Sequence, residues 1–282
     1  MGTPISELSE TLVDRMLDPE VKRRLALLPR DNLNEFGFDP FGFSPDFFRY
    51  AIAIGQYFYK YYFRVETHGC ENIPAGRALL ISNHGGQLPF DAAMVIGAVF
   101  LSAPQPRVVR AMVERWSSTL PFVSYFFSRV GQIVGDPDSC RRLLEAEEAV
   151  LVFPEGTRGI NKLWTERYQL KTFSRGFMRL ALASDAPVVP TAVIGAEEQA
   201  LALFDVKPLA RLLHMPAMPI TPTLLPLPLP TKYRIYFGKP LTFSGDEDED
   251  DTAIDRKIQQ VTVQVQKLIE HGLRERGRRI FS

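Results

Sequence analysis

The spacing of hydrophobic positions along the chain changes near residue 64. Before that point apolar residues recur every three or four positions, which predicts helices, the first carrying Ile5, Leu8, Leu12 and Met16. After it, short apolar runs typical of strands alternate with helical patterns. The strand-like runs are 64–67, 78–82, 108–112, 132–134, 149–153, 188–194 and 233–237, and the helical patterns lie near 89–101, 138–148 and 174–184. This alternation predicts an α/β sandwich with a mixed, mostly parallel and buried sheet behind an N-terminal helical extension.

The segment Asp46–Phe63, which is rich in phenylalanine and tyrosine, has two interpretations that the sequence leaves open. It is either a core helix packed on the sheet or a helix that lies in a membrane interface. Arg49, Lys60 and Arg64 flank its apolar stretch, as the second interpretation requires. At its centre, Tyr50–Tyr59 spans only ten residues, about half of what a bilayer needs. We therefore expect no transmembrane helix here.

Two later segments break the alternation. Lys207–Pro230 is apolar and rich in proline, so it either wraps the core or forms an apolar surface near a lipid site. The acidic run Asp246–Asp251 precedes a predicted helix. We interpret this run as a solvated loop rather than as a metal site. The apolar stripe of that helix is Ile254, Ile258, Val261, Val265 and Leu268. These patterns predict an extension at 1–63, a core at 64–245 and a C-terminal part at 246–282.

Composition narrows the function classes. Of the 282 residues, 45% are hydrophobic and 23% are charged, as in a globular protein with a substantial core. The formal net charge is zero, so no bulk field attracts the chain to nucleic acid. Cys70 and Cys140 lie far apart and predict neither a disulfide framework nor a cysteine-based zinc site. The N-terminus is polar, so a secretory signal is not expected, and we expect a cytoplasmic protein that associates peripherally with a membrane.

His84 differs from the other three histidines in its surroundings. It follows the predicted strand 78–82, at the end of a strand where open α/β sheets bind ligands. Gly85 and Gly86 allow a sharp turn, and Pro89 is suited to open the next helix, which places Asp91 in its first turn. An imidazole held by a carboxylate is the arrangement of a general base. The sequence shows no Gly-x-Ser-x-Gly elbow and no activating context for a cysteine, so His84 is expected to activate a hydroxyl that the substrate supplies.

A second group of polar residues follows the predicted strand 149–153. Glu155 and Arg158 emerge there beside Gly156 and Gly159, in a loop that an ion pair would also explain structurally. Together, the two motifs resemble those of the PlsC-like lysophospholipid and glycerolipid acyltransferases. Asn83-His84…Asp91 is similar to the first motif of that family, and Phe153–Arg158 reproduces its Phe-Pro-Glu-Gly-Thr-Arg motif.

Two weaker motifs extend the resemblance over about residues 35–240. Phe173–Phe177 is similar to a Phe-Lys-x-Gly segment of the family, with Arg175 in the place of the lysine, and 188–192 resembles the last core motif. The resemblance implies that His84 deprotonates an acceptor hydroxyl, which attacks the thioester of acyl-CoA or acyl carrier protein. It implies that Asp91 orients His84 and stabilises the imidazolium. Acceptor binding is implied for Glu155, Gly156, Thr157, Arg158 and Arg175, with no metal or other cofactor.

The chain departs from the family pattern in two places. Six residues separate His84 from Asp91, where the family usually has four. Gly135 and Asp136 occupy the neighbourhood in which the family has an arginine that helps to hold phosphate. The absence of this arginine favours a neutral or zwitterionic acceptor over lysophosphatidic acid. Two alternatives stay open from sequence: a thioesterase or lipase that uses the same dyad on water, and a lipid-binding protein without enzymatic activity.

Overall fold

The structure, a computed structural model, describes residues 4–86, 89–113, 122–160, 162, 164–199, 204–205, 219–220 and 228–277. Its centre is a seven-stranded sheet in the order β1-β9-β6-β2-β5-β3-β4. The strands of this sheet are β1 Glu66–His68, β2 Ala78–Ser82, β3 Arg110–Val113, β4 Ile133–Val134, β5 Ala149–Val152, β6 Val188–Ile194 and β9 Arg234–Phe237. A separate pair is formed by β7 Phe204–Asp205 and β8 Pro219–Ile220.

All neighbouring strands of the large sheet are parallel except β6 and β9, which pair antiparallel. Strands β2, β5 and β6 are buried along their whole lengths, because helices cover both faces of the sheet. Successive residues of β2 face opposite layers: Leu80 packs into one hydrophobic cluster, whereas Leu79 and Ile81 pack into the other. The predicted mixed, mostly parallel α/β fold is therefore confirmed.

The helices form the two outer layers. They are α1 Pro4–Met16, α2 Pro19–Ala26, α3 Pro45–Tyr57, α4 Phe90–Ser102, α5 Val123–Arg129, α6 Pro137–Glu145, α7 Thr157–Ile160, α8 Gly176–Ala183 and α9 Asp251–Arg276. Buried residues of α2, α3 and α4 share one core with Leu80, while those of α6, α8 and α9 lie on the other face with Leu79. The acidic run ends as the N-cap of α9, where Asp250 accepts hydrogen bonds from the backbone N–H groups of Thr252 and Ala253.

The aromatic segment combines features of both interpretations that the sequence left open. It forms α3 and then a π-helical turn at Phe58–Tyr62. Phe48, Ile52 and Tyr59 are buried in the core. On the other face Ile54, Tyr57 and Tyr61 are 58%, 57% and 64% exposed, so the segment is a core helix whose outer surface is apolar.

The other predicted boundaries lie within three residues of the observed ones, and the largest difference is at α6, which ends at Glu145 rather than at 148. The last apolar position of the α9 stripe differs too: Ile269 is fully buried, whereas Leu268 is only partly buried. Three residues after Ile269, Gly272 lies against Tyr236 of β9 and Ile194 of β6, so Ile269 and Gly272 lie on the face of the helix that packs on the sheet.

Among the described residues, no helix combines the length and the apolar character needed to cross a membrane. Most of the proline-rich segment Lys207–Pro230 and the basic C-terminal residues 278–282 lie outside the described residues.

Candidate active site

Three adjacent parallel strands end at one edge of the sheet and bring the two sequence motifs together. Strand β2 lies between β5 and β6, with Ile81 opposite Val152 and Ser82 opposite Thr191. His84 therefore follows the central strand, Glu155 follows one neighbour, and Glu197 follows the other. The carboxyl ends of parallel strands are where α/β proteins place their ligands.

The central contact of the site joins His84 to Asp91. Nδ1 of His84 lies 2.5 Å from Oδ2 of Asp91. The Asp91 side chain is fully buried, and the same oxygen also accepts a hydrogen bond from the N–H of Gly85 at 3.1 Å. Its other oxygen accepts from the N–H of Ala92 at 2.7 Å. Because an ionised carboxylate can only accept, this contact favours the tautomer of His84 with its proton on Nδ1 and its lone pair on Nε2.

In the described part of the gap between His84 and Asp91, the backbone changes direction at Gly86. Gly86 has a φ of +82°, a conformation that a residue with a side chain rarely adopts. Pro89 precedes α4, so Asp91 lies in the first turn of that helix, as the sequence predicted. The longer spacing is therefore compatible with a direct hydrogen bond between the two side chains.

His84 is held in place on every side except its outer edge. Its ring stacks on that of Phe153, with 4.1 Å between the centroids and 20° between the planes. The side chain is 17% exposed. Within the described residues, Nε2 of His84 has no hydrogen-bond partner, so this nitrogen is available to a substrate.

Gly159 sets how closely α7 approaches His84. A Cβ atom at this position would lie 2.8 Å from Cβ of His84 and 3.0 Å from Cβ of Glu155. We predict that Gly159→Ala lowers the free energy of unfolding by about 1–3 kcal/mol, since such overlap forces the backbone to move. The matched control is Gly176→Ala in α8, where a Cβ atom would meet nothing within 4 Å. Chemical denaturation of both variants measures the effect, and equal stabilities would contradict it.

Glu155 lies beneath His84 and is buried, with only 1% of its surface exposed. Its Oε1 accepts a hydrogen bond from the backbone N–H of His84 at 3.0 Å. Its Oε2 accepts from the backbone N–H of Lys171 at 2.8 Å and lies 2.8 Å from Nζ of Lys162. The carboxylate is thus fully engaged within the protein, and it supports the backbone that carries the imidazole.

The remaining predicted binding residues lie in different settings. Gly156 has a φ of +56°, and Thr157 begins α7 beside it. The guanidinium of Arg158 is exposed and donates to the carbonyl of Thr172 at 3.1 Å, and no carboxylate pairs with it within the described residues. Gly156 and the first two residues of α7 thus follow Glu155 directly, at the edge of the sheet where His84 lies.

Arg175 is placed differently from the other predicted binding residues. Its guanidinium forms a forked contact with Asp255, with both distances at 2.7 Å, and it also contacts Asp251. Hydrogen bonding to Asp255 raises the pKa of Arg175 above its usual value. These contacts join α8 to α9, and in the described part of the chain Arg175 touches neither His84 nor Asp91. Its role in substrate binding stays a prediction.

Three residues of the site were not predicted from the sequence, or were predicted only in part. Lys162 and Glu197 are both buried, and they are 3.2 Å apart from Nζ to Oε1. The amide of Asn83 exchanges two hydrogen bonds with the backbone of Val193, at 2.8 and 3.0 Å, so it anchors the His84 loop to β6. Glu197 had a detectable signal, because it closely follows the apolar run 188–194, whereas nothing in the sequence marked Lys162.

The two cysteines take no part in the site. Both are free and buried. Burial raises the pKa of the Cys70 thiol to about 12 and that of the Cys140 thiol to about 11. Neither side chain is therefore an available nucleophile near neutral pH.

Comparison with known proteins identifies a family and a fold for the chain. Residues 64–194 match the family model described as Acyltransferase. An uncharacterized protein of Mycobacterium leprae is 39% identical over 251 residues, which cover 85% of this chain and 67% of that protein. A Gallus gallus protein named "DGAT1/2-independent enzyme synthesizing storage lipids" is 25% identical over 180 residues, which cover 63% of this chain and 52% of that protein.

A solved structure shares the fold. It is the 1-acyl-sn-glycerophosphate (LPA) acyltransferase PlsC from Thermotoga maritima, with a TM-score of 0.54 and 15% sequence identity. The match covers 89% of this chain and 86% of that one. The matched residues 64–194 contain both His84 with Asp91 and the Phe153–Arg158 loop. Residues 64–194 of this chain therefore form a domain of the acyltransferase family.

Proposed function

We propose that this chain transfers a fatty acyl group from a thioester donor to a hydroxyl of a lipid acceptor at a membrane surface. The donor is acyl-CoA or acyl carrier protein, and the acceptor is a lysophospholipid or a related lipid. The observation that carries the proposal is the 2.5 Å contact between Nδ1 of His84 and Oδ2 of Asp91, which leaves Nε2 free to accept a proton. The family and the fold support acyl transfer to lipid in general terms.

In the proposed reaction, the acceptor hydroxyl gives its proton to Nε2 of His84 as its oxygen attacks the carbonyl carbon of the thioester. The carbon–sulfur bond breaks when the tetrahedral intermediate collapses, and the proton on His84 passes to the departing thiolate. Asp91 stabilises the imidazolium between these two proton transfers. The acceptor headgroup is bound in part by Arg158, whose exposed guanidinium suits a forked contact with an anionic or polar group.

The proposal is tested by incubating the purified protein with radiolabelled palmitoyl-CoA and vesicles that contain one candidate acceptor at a time. The acceptors are lysophosphatidic acid, lysophosphatidylcholine, monoacylglycerol and diacylglycerol. We expect a labelled ester of at least one acceptor. Labelled free fatty acid alone, in every vesicle, would instead indicate a hydrolase, and no turnover with palmitoyl-CoA or palmitoyl-acyl carrier protein would favour a binding protein.

The proposed membrane contact rests on an apolar surface that we call the aromatic face, formed by Ile54, Tyr57 and Tyr61. These residues recur at helical spacing, and each is more than half exposed. Near the other end of α3, Phe47 contacts Tyr125 and Phe126, and these two side chains are exposed as well. Tyrosine is favoured where an apolar surface meets lipid headgroups, because its ring is apolar and its hydroxyl is polar.

We predict that replacing Ile54, Tyr57 and Tyr61 together with serine lowers binding to vesicles by more than about tenfold. Removal of three partly inserted apolar side chains costs more than about 1.4 kcal/mol. Co-sedimentation with vesicles measures the partition coefficient. Leu27→Ser and Val263→Ser serve as controls, since both side chains are exposed but lie outside the aromatic face. Unchanged binding of the triple variant would show that this face does not dock.

A further inference from the structure

A buried lysine lies between two buried carboxylates directly below His84. Nζ of Lys162 is 2.8 Å from Oε2 of Glu155 and 3.2 Å from Oε1 of Glu197. It also lies 3.5 Å from the carbonyl oxygen of His84. The Lys162 side chain is only 3% exposed, and those of Glu155 and Glu197 are 0% and 3% exposed.

The charges of this cluster depend on one another. Burial raises the pKa of the Glu197 carboxyl, the positive charge of Lys162 opposes that rise, and the negative charge of Glu155 adds to it. Two adjacent carboxylates away from water repel each other unless a cation lies between them. Lys162 is the cation that both contact, and within the described residues no other lysine or arginine pairs with either carboxylate.

Each carboxylate supports part of the chain around His84. Glu155 accepts a hydrogen bond from the backbone N–H of His84 at 3.0 Å. Glu197 accepts from the backbone N–H of Tyr168 at 2.7 Å and from the Asn83 amide at 3.5 Å. Gly85 lies so close to Glu197 that a Cβ atom there would be 2.2 Å from Cγ of the glutamate. The segment from Asn83 to Gly85 is therefore held in place by contacts with the carboxylates of Glu155 and Glu197.

We propose that Lys162 is a positioning residue for the catalytic base. By holding Glu155 and Glu197 together, it fixes the backbone of His84, and through that backbone it fixes the imidazole against Asp91. The consequence for acyl transfer rests on the proposed function, whereas the consequence for the geometry of His84 does not. A displacement of about 1 Å in a catalytic group is enough to lower a rate by about 10²-fold.

The first test is proton NMR of protein labelled with nitrogen-15 at histidine. A proton held between His84 Nδ1 and the Asp91 carboxylate gives a downfield resonance, which His84→Ala identifies by its loss. We expect Lys162→Met to move this resonance upfield and to speed its exchange with water by about tenfold or more. Lys171→Met is the matched control: the partly exposed ammonium of Lys171 pairs with Glu166, and the hydrogen bond from its backbone N–H to Glu155 is retained. An unchanged resonance in folded Lys162→Met would overturn the proposal.

A second pair of variants covers the case in which Lys162→Met does not fold. Glu197→Gln removes one of the two negative charges and leaves the contact between Lys162 and Glu155, so its resonance is expected to stay close to the wild-type position. In the double variant Lys162→Met/Glu197→Gln, Glu155 is the one member of the cluster that stays charged. The repulsion between the two carboxylates is therefore removed, but Glu155 no longer has a cation beside it. We expect the His84 resonance of the double variant to move upfield, whereas that of Glu197→Gln stays close to the wild-type position. Identical spectra of these two variants would overturn the proposal.

Kinetics then separate this inference from the proposed function. With an active acceptor, Lys162→Met is expected to lower kcat by about 10- to 100-fold with KM nearly unchanged, because the base is displaced while the binding groups stay. A rise in KM at constant kcat would contradict a positioning role. The NMR measurement needs no substrate, so a failure to detect acyl transfer would leave the inference about Lys162 open to test on its own.

Discussion

Replacement of His84 with alanine is expected to lower kcat for acyl transfer by about 10²- to 10⁴-fold, the usual contribution of a general base. Nε2 of His84 has no hydrogen-bond partner within the described residues, and Nδ1 lies 2.5 Å from Oδ2 of Asp91. Without the imidazole, the acceptor hydroxyl must attack the thioester while it still carries its proton. The measurement is the initial rate of labelled ester formation from acyl-CoA at saturating acceptor.

The matched control for this variant is His271→Ala. His271 lies on α9, is half exposed, and is 3.3 Å from Glu275 in an ion pair of the i,i+4 type. Its replacement is expected to leave kcat within about twofold, since surface substitutions have small effects. Both variants are compared by thermal unfolding, so that lost activity is not confused with lost structure. A His84→Ala protein that is folded and retains the wild-type rate would exclude His84 as the base.

Replacement of Asp91 with asparagine is expected to lower kcat by about 10²- to 10⁴-fold, with little change in KM. The amide has nearly the same shape as the carboxylate, so it fits the buried space between the turn and α4. Its NH₂ group, however, favours the tautomer of His84 that carries the proton on Nε2, and an imidazole in that state cannot accept the proton of the acceptor. The neutral amide also no longer stabilises the imidazolium.

Asp250→Asn is the control for the change from a carboxylate to an amide. Asp250 caps α9 through backbone N–H groups, and an asparagine side chain makes the same contacts. We therefore expect wild-type rates from Asp250→Asn. A rate for Asp91→Asn within about threefold of wild type would mean that the short contact with His84 has no part in catalysis, because the expected loss is far larger.

The sequence predicted the fold and the pairing of His84 with Asp91 because both depend on local patterns. Apolar runs of strand length that alternate with helical patterns specify a parallel, covered sheet, and β2, β5 and β6 are buried as that pattern requires. His84 and Glu155 each follow one of these runs, which places them at the same edge of the sheet. The left-handed conformation of Gly86 agrees with the backbone freedom that the sequence indicated for Gly85 and Gly86.

What the sequence did not predict depends on contacts between distant segments. The buried position of Glu155 follows from three partners, the backbone N–H groups of His84 and Lys171 and the ammonium of Lys162. A loop that carries a glutamate and an arginine in sequence can direct either side chain inward. Only the packed structure shows that the glutamate turns in and Arg158 turns out.

The direction of β9 and the partners of Arg175 also depend on contacts between segments that are distant in the sequence. The antiparallel direction of β9 depends on how the chain returns after β6, and most of that connection lies outside the described residues. Arg175 matches the position of a family lysine in sequence, but the carboxylates that surround it belong to α9, about 80 residues later. A motif therefore locates a residue along the chain without stating which charges meet it in space.

The central claim, that His84 activates an acceptor hydroxyl rather than water, is tested most directly by running the reaction in water enriched in oxygen-18. Mass spectrometry then follows the acyl chain of the donor. We predict an acylated lipid that carries no oxygen-18, formed by the wild-type protein and not by His84→Ala. Free fatty acid with one oxygen-18 in its carboxyl group as the His84-dependent product, in place of the ester, would contradict the claim and identify a hydrolase.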